Sequence, residues 1–261
     1  MHFARAQESF YGRFRANNTA MKEVQPSWMG PIIQSDARLG QGVKFSVSNS
    51  DFPPVRPIIY GNNKGVSVVV DRRFQVDFDP PSYFRNHSSA QKDGFGNAGT
   101  QVKWRLASGN ADHGNFVLTA IMFHGFAPRT YQNQLLSSYY VTSLAAGKAF
   151  GRFAMLTTVG GFLPTAKIDL QGRAVEWNLT GQVHASEHLW LDVENNTAFF
   201  HAGPDDGLTQ NFVTPAAFYM VRRKEWGPQH AAVVFDCGEQ IATTSFHVLN
   251  HNLVTEMRIM F

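Results

Sequence analysis

The chain has 261 residues, enough for one sizeable all-β unit, and no stretch has the composition of a linker between two domains. Hydrophobic residues make up 43% of the chain but charged residues only 16%, against roughly 25% in ordinary soluble domains. The net charge of +3 comes from Lys and Arg scattered among Asp and Glu, which gives nucleic-acid binding little support. The single cysteine, Cys237, excludes an internal disulfide and a cysteine-based zinc site.

Residues 1–41 show no sustained strand alternation, although residues 7–22 could form a short polar helix. The breakers in this region are Pro26, Gly30, Pro31 and Gly40. We interpret residues 1–41 as an irregular or short-helical lead-in that either lies in the periplasm or plugs a barrel. Ala4-Arg5-Ala6 has the shape of a signal-peptide cleavage site, and a chance match is an equally good interpretation.

From residue 42 onward, apolar and polar residues alternate with a period of two, which predicts β-strands with two different faces. The tight Asp71-Arg72-Arg73 connection predicts a hairpin between the second and third strands. Twelve strands are predicted, at 42–50, 64–70, 74–80, around 101–106, 115–125, 137–149, 152–163, 173–184, 189–201, 211–222, 231–241 and 250–261.

The connections between these strands alternate between short and long. The predicted long loops include 51–63 and 81–97, and the predicted turns include 150–151 and 223–230. Outer-membrane barrels have this alternation, and an even strand number leaves both chain ends in the periplasm. We therefore predict that residues 42–261 form an all-β transmembrane antiparallel up-and-down barrel. The soluble alternative is a secreted β-sandwich binding module, whose strands would be nearer five or six residues.

The closing strand places Leu253, Thr255, Met257, Ile259 and Phe261 on one face. A terminal strand that ends in Phe resembles the closing strand of bacterial outer-membrane barrels. That resemblance implies outer-membrane lipid and the barrel-insertion machinery as partners, and the cell outer membrane as the location.

A second resemblance comes from the hairpin Gly65–Phe78, from residues 93–107 and from the strand that ends at Phe261. These segments are similar to those of uncharacterised outer-membrane proteins grouped with putative transporters of aromatic-compound (phenol) degradation. The resemblance implies a barrel in the cell envelope and transport of a solute. It carries over no site residues, because it rests on pattern and not on an invariant motif.

If the apolar faces contact lipid, the opposite faces carry charges into the lumen. Such charges must be paired or hydrated, either in a water-filled pore or in a salt-bridge network. As a pore, the mixed signs predict little ion selectivity. The predicted lumen-lining residues are Asp77, Lys103, Arg105, Glu176, Asp192, Glu194, Asp236, Glu256 and Arg258.

Catalysis and metal binding have weaker support in the sequence. The ten histidines show no metal-ligand spacing, so no metal site and no cofactor are predicted. An outer-membrane lipid hydrolase needs a converging Ser and His, for which His87-Ser88-Ser89 and His251-Asn252 are the nearest candidates, and a Gly-x-Ser-x-Gly motif is absent. We expect a non-enzymatic barrel for passive transport or binding of a small, amphiphilic or aromatic solute, with the lipid hydrolase as an alternative.

Overall fold

The structure is a computed structural model that describes residues 10–52, 55–62, 65–88, 91–128, 130–222 and 231–261. These residues form an antiparallel sheet that closes on itself, because the first strand pairs with the last. The closing pair runs in register from Gly42 opposite Met260 to Ser50 opposite Asn252. Closure satisfies backbone hydrogen bonds within the chain, as a strand-built membrane protein requires.

The first half of the barrel contains β1 (Gly42–Ser50), β2 (Ile58–Tyr60), β3 (Gly65–Asp71), β4 (Phe74–Asp79), β5 (Tyr83–Arg85), β6 (Gly94–Phe95), β7 (Ala98–Gly109) and β8 (Phe116–Phe126). The second half contains β9 (Tyr139–Phe150), β10 (Phe153–Pro164), β11 (Arg173–His184), β12 (Leu189–His201), β13 (Thr209–Arg222), β14 (Ala232–Ala242) and β15 (His251–Met260). Helix α1 (Phe10–Lys22) precedes the barrel, and the short helix α2 (Ile168–Gln171) lies between β10 and β11. No helix within the described residues is long and apolar enough to cross a membrane.

Three of the spanning strands consist of two pieces each. The first consists of β2 and β3, which both pair with β1. The second consists of β4 and β5, which pair with β3 and β2 respectively. The third consists of β6 and β7, which pair with β5 and β4 respectively. When each two-piece strand counts once, the described residues form twelve spanning strands, so the predicted barrel and its strand number are confirmed. The predicted long loops 51–63 and 81–97 are shorter than expected, because they contain β2, β5 and β6.

The outward face of the barrel is apolar on successive strands. On β12, for example, Leu191 and Val193 point outward, whereas Asp192 and Glu194 are buried on the inward side. Outward residues that are more than a third exposed include Phe45, Trp104, Met122, Leu144, Val159, Trp177, Val193, Tyr219, Phe235 and Leu253. A surface of this kind is compatible with hydrocarbon and not with water.

The two ends of the barrel differ. At one end, which we call the turn end, lie the connections 72–73, 110–115, 151–152 and 185–188, together with Gly42 and Met260. At the loop end lie the longer connections, among them 127–138, 165–172 and 243–250. The predicted turn 223–230 lies outside the described residues. Phe261 follows the last residue of β15, and its N–H donates to Gln41 O at 2.9 Å.

Candidate functional site

Residues 23–41, which we call the luminal segment, run inside the barrel. The segment begins beside the turn end, where Ser108 Oγ and Asn110 Nδ2 donate to its Val24 and Glu23 carbonyls at 2.5 and 2.9 Å. It returns to the turn end at Gly42. Prolines and glycines keep it out of regular structure, so its backbone polar groups need partners from the wall. In the described part of the chain, side chains of seven strands supply them, among them Gln75, Lys103, Thr119, Thr158, Gln182, Glu194 and Arg258.

Three apolar residues of the luminal segment pack against one side of the barrel. Trp28, Met29 and Ile32 are each at most 3% exposed. They join a cluster with inward-facing side chains that include Leu156, Trp190, Phe218 and Val234. Space for the indole comes from Gly147, since a Cβ there would lie 2.7 Å from two Trp28 ring carbons. The interior therefore contains a packed apolar core, which the strand pattern alone did not predict.

Glu194 binds the luminal segment through its carboxylate. Its side chain is fully buried, and it accepts from the backbone N–H groups of Ile32, Ile33 and Gln34 at 2.5, 3.1 and 3.0 Å. Three donors on one carboxylate make a charge-assisted anion site from an irregular turn of backbone. Gln182 adds a two-way contact with Met29, accepting from its N–H at 3.2 Å and donating to its carbonyl at 2.8 Å.

Arg258 belongs to an ion-pair cluster and also binds the luminal segment. Its Nε lies 2.8 Å from Asp236 Oδ2 and also contacts Glu256 Oε1. Its two terminal nitrogens donate to the carbonyls of Gly30 and Pro31 at 2.6 and 3.1 Å. One guanidinium thus forms ion pairs with two buried carboxylates and donates hydrogen bonds to two backbone carbonyls.

Lys103 holds a further stretch of the segment, and Arg105 holds its start together with the end of α1. Lys103 Nζ donates to Asp36 O at 2.9 Å, and Arg105 donates to Met21 O and Gln25 Oε1 at 3.2 and 3.1 Å. Burial alone would raise the pKa of Asp36, but the cations of Arg38 and Lys103 offset this and hold it below its usual value.

The remaining predicted luminal residues lie on the inward face in different settings. Asp77 accepts from Gln75 and Gln101 at 2.6 Å each, and Asp192 accepts from Gln182 at 3.3 Å. Glu176 is half-buried toward the loop end of β11, opposite Gly160. Four of these charged residues contact residues 21–36, namely Lys103, Arg105, Glu194 and Arg258. Glu176 lies apart from them.

A cavity of about 900 Å³ lies beside the luminal segment. Its lining extends from loop-end residues such as Asn97 and Tyr139 to turn-end residues such as Lys22 and Phe261. One wall is polar and includes Ser67, Gln75, Asp77, Gln101 and Lys103; another is apolar and includes Ile121, Phe123, Leu135, Tyr139 and Val141. Phe123 and Tyr139 form an aromatic pair with ring centroids 5.9 Å apart, and Phe162 packs 5.0 Å from Tyr139.

Sequence reasoning missed the luminal segment's contact residues and the aromatic wall. Trp28 and Met29 stand in a Pro- and Gly-rich stretch that carries no periodicity, so no pattern marked them as core. Phe123 and Tyr139 do carry a usable signal, since they are aromatic residues on the face of their strands that the alternation assigns to the interior.

The two histidines considered as candidates for a lipid hydrolase, His87 and His251, lie in different surroundings. His251 lies between two carboxylates, 3.6 Å from Asp51 Oδ2 and 3.3 Å from Glu239 Oε1, and so links β15 to β14 and to the loop after β1. His87 is exposed, and Ser89 lies outside the described residues. Within the described ranges, no group of three or more His, Cys, Asp and Glu side chains is arranged to hold a metal ion.

Comparison with known proteins supports the fold. No protein-family model matches the sequence, and no curated protein matches it either. Among solved structures, a crystal structure of an outer membrane channel from Pseudomonas putida F1 is similar, with a TM-score of 0.57 and 14% sequence identity. The match covers 90% of this chain and 100% of that chain. The predicted resemblance to outer-membrane barrels is confirmed in the fold.

The closed wall and its apolar outer surface define the class of protein. A sandwich would bury one face of each of two sheets, whereas this sheet closes around an interior of its own and exposes aromatic and aliphatic side chains outward. The chain is therefore a transmembrane β-barrel of the outer membrane, and the soluble alternative is wrong.

Proposed function

We propose that the chain is an outer-membrane channel for passive passage or binding of a small amphiphilic or aromatic solute. The observation that carries the proposal is the cavity of about 900 Å³, whose lining extends from the loop end to the turn end beside the luminal segment. Its volume is in the range of small-molecule sites in proteins. The channel description of the similar structure from Pseudomonas putida F1 supports the same function. The proposal requires no cofactor and no catalytic group.

The two walls support the solute class. Phe123, Tyr139 and Val141 offer apolar contact on one side, while Gln75, Gln101 and Asp77 offer hydrogen bonds on the other. A solute with an aromatic or aliphatic body and one polar group satisfies both walls at once. Phenols are the simplest molecules of that kind, and aromatic pairing contributes about 0.5–1.5 kcal/mol beyond burial of area.

We also propose that the luminal segment acts as a plug that narrows the channel. It contacts inward-facing side chains through both apolar packing and charge-assisted hydrogen bonds, and these contacts keep it on one side of the lumen. The lead-in predicted from residues 1–41 would then be part of the channel. Outer-membrane lipid and the barrel-insertion machinery are the proposed partners of the barrel.

Two neighbouring tyrosines allow a matched test. Tyr139 lines the cavity, whereas Tyr140 points outward and is 38% exposed. With purified protein in planar bilayers, we expect small unitary conductances that phenol reduces in a concentration-dependent way. Tyr139→Ala should weaken the phenol effect by roughly three- to tenfold, the equivalent of one aromatic contact, and Tyr140→Ala should leave it unchanged.

The same recordings can also contradict the proposal. If the wild-type protein shows no conductance, or a conductance that phenol does not change, the barrel is not a channel for this class of solute. Equal effects of Tyr139→Ala and Tyr140→Ala would contradict the assignment of the aromatic wall.

A further inference from the structure

Two aromatic rings of the cavity wall lie where a side chain of the neighbouring strand would otherwise stand. A Cβ at Gly99 of β7 would be 2.2 Å from Cζ of Phe123 on β8. A Cβ at Gly125 of β8 would likewise be 2.2 Å from Cε1 of Tyr139 on β9. Real Cβ atoms essentially never come so close to another heavy atom, so each ring can hold its position only because its neighbour is glycine.

Phe84 repeats this arrangement from the other side of the same strand. A Cβ at Gly96, between β6 and β7, would be 2.5 Å from Phe84 Cε2. β6 and β7 are the two pieces of one spanning strand, which has β5 with Phe84 on one side and β8 with Phe123 on the other. The two rings therefore lean toward each other over the glycines of the strand between them.

The rings and glycines follow one another across the sheet. Gly99 stands directly opposite Gly125 in the register of β7 and β8, and Gly125 stands opposite Tyr139 in the register of β8 and β9. We call the three rings together with the glycines beneath them the aromatic strip, which consists of Phe84, Gly96, Gly99, Phe123, Gly125 and Tyr139.

The rings of the aromatic strip have a free side toward the cavity. Phe84, Phe123 and Tyr139 all line it, and each is only partly buried. Aromatic residues also cover strand glycines for purely structural reasons. Here, however, the rings lie against the backbone of the wall beside a cavity of about 900 Å³, which leaves room for a further ring next to them.

A carboxylate lies beside the aromatic strip. Asp79 stands directly opposite Gly99 in the register of β4 and β7, and it also lines the cavity. Residues opposite each other on antiparallel strands have Cα atoms about 4.5–5.5 Å apart. A ring bound on the strip therefore has an acceptor for a hydroxyl substituent close to its edge.

We propose that the aromatic strip is the solute-binding surface of the channel and that it selects hydroxylated aromatic rings over saturated molecules of the same size. The inference rests on the proposed passage of a small solute, and it narrows the solute class from amphiphiles in general to arenes. Offset-stacked and edge-to-face contacts are available to an aromatic ring and not to a saturated one. Gly96, Gly99 and Gly125 are positioning residues, because they act through the rings that cover them.

Phenol and cyclohexanol are a matched pair of solutes for the test. Both are six-membered rings with one hydroxyl group, but only phenol is flat and aromatic. In planar bilayers we expect phenol to halve the wild-type conductance at a concentration about three- to tenfold lower than cyclohexanol does. Equal concentrations would overturn the selectivity of the strip and leave the proposed channel standing.

Two variants locate the preference in the strip. Gly99→Ala forces the ring of Phe123 from its place, and Phe123→Leu removes the ring without crowding the wall. Each should bring the preference for phenol close to one, the value expected without an aromatic contact. Gly181→Ala is the control, since Gly181 is exposed on β11 and a Cβ there would meet no described atom within 4 Å. A preference that persists in Phe123→Leu would contradict the strip.

Calorimetric titration in lipid nanodiscs, corrected for empty nanodiscs, separates binding from conduction. If the wild-type protein conducts no ions but binds phenol about three- to tenfold more tightly than cyclohexanol, the channel is wrong and the aromatic strip stands. If it binds both solutes equally, or neither, the strip is wrong whether or not the barrel conducts.

Discussion

Two sectors of the barrel differ in both wall and interior. The sector formed by β10–β14 has strands of 11–14 residues paired along most of their length, and its inward side chains pack against the luminal segment. In the sector formed by β1–β7, three spanning strands consist of two pieces each, and inward side chains such as Ser67, Phe84 and Gln101 line the cavity. Long one-piece strands and the larger packed cluster occur together, as do the two-piece strands and the cavity.

The difference lies in the inward residues. The packed sector presents Leu156, Phe218 and Val234, which gain from excluding water and need no specific geometry. The open sector presents Ser67, Asp79 and Gln101, whose polar groups lose hydration if the interior closes on them without partners. A barrel with twelve spanning strands is wide enough to hold a packed side and a hydrated side together.

Removing the largest apolar side chain of the luminal segment should change the packed sector, and with it the conductance, most strongly. Trp28→Ala deletes an almost fully buried indole, which costs about 3–5 kcal/mol in a packed core. The segment should then leave the packed sector, and the unitary conductance should rise severalfold in planar bilayers.

The control for this change is Trp177→Ala. Trp177 is 49% exposed on the outer surface, so its loss should leave the conductance unchanged. An unaltered conductance in Trp28→Ala would mean that the apolar contacts do not hold the segment in place.

Replacing the carboxylate that binds the segment should have the next largest effect. Glu194→Gln removes the charge from three hydrogen bonds, and one buried charge-assisted bond contributes about 1.5–3 kcal/mol. We expect frequent transitions between two conductance levels, because the segment detaches at residues 32–34 while Trp28 still anchors it.

Glu187→Gln in the exposed turn before β12 is the matched control and should record as wild type. If Glu194→Gln gave the same steady single level, the carboxylate would have no part in seating the segment.

Much of the fold could be predicted from the sequence, because period-two alternation and connection length are local properties. Residues such as Asp192 and Glu194 follow from the alternation of β12. β2, β5 and β6 could not be predicted, since Pro80-Pro81 and the glycines around them have the composition of a loop. Their strand geometry comes from neighbours in the closed sheet.

The partners of the luminal charges were beyond the reach of the sequence. Spacing along β12 predicts that Glu194 points inward, but its donors at Ile32, Ile33 and Gln34 lie about 160 residues away in an aperiodic stretch. The predicted alternatives were a hydrated pore or a salt-bridge network. Backbone of the luminal segment is a third partner, because a chain without regular structure offers unpaired N–H and C=O groups.

The charges of the cavity lining predict a smaller effect, on ion selectivity. In the described part of the cavity lining there are five basic residues, Lys22, Arg38, Lys44, Lys103 and Arg258, and four acidic ones, Asp36, Asp77, Asp79 and Glu256. A near balance should give a reversal potential close to zero in a salt gradient, with at most a weak preference for anions.

Lys44→Gln sharpens this prediction, because Lys44 lines the cavity and its loss should shift the reversal potential toward cations. Arg56→Gln is the control, since that side chain is 76% exposed at the loop end and lies outside the cavity lining. A strong selectivity in the wild-type protein would show that ions follow another route.

The smallest expected effect is the response of the conductance to low pH. The pKa of Asp36 is lowered in the folded chain, so its pairing with Arg38, with Nη2 and Oδ2 2.7 Å apart, contributes stability above the ordinary aspartate pKa and loses it as pH falls through the lowered value. A partly exposed pair of this kind contributes about 1 kcal/mol or less. The noise that depends on Asp36 should therefore appear only below about pH 4, because Asp36 is still ionised where free aspartates begin to protonate. Asp36→Asn should show that noise at every pH, whereas Asp169→Asn, exposed on α2, should follow the wild type. If Asp36→Asn recorded without added noise at neutral pH, Asp36 would have no part in the contacts that hold the luminal segment.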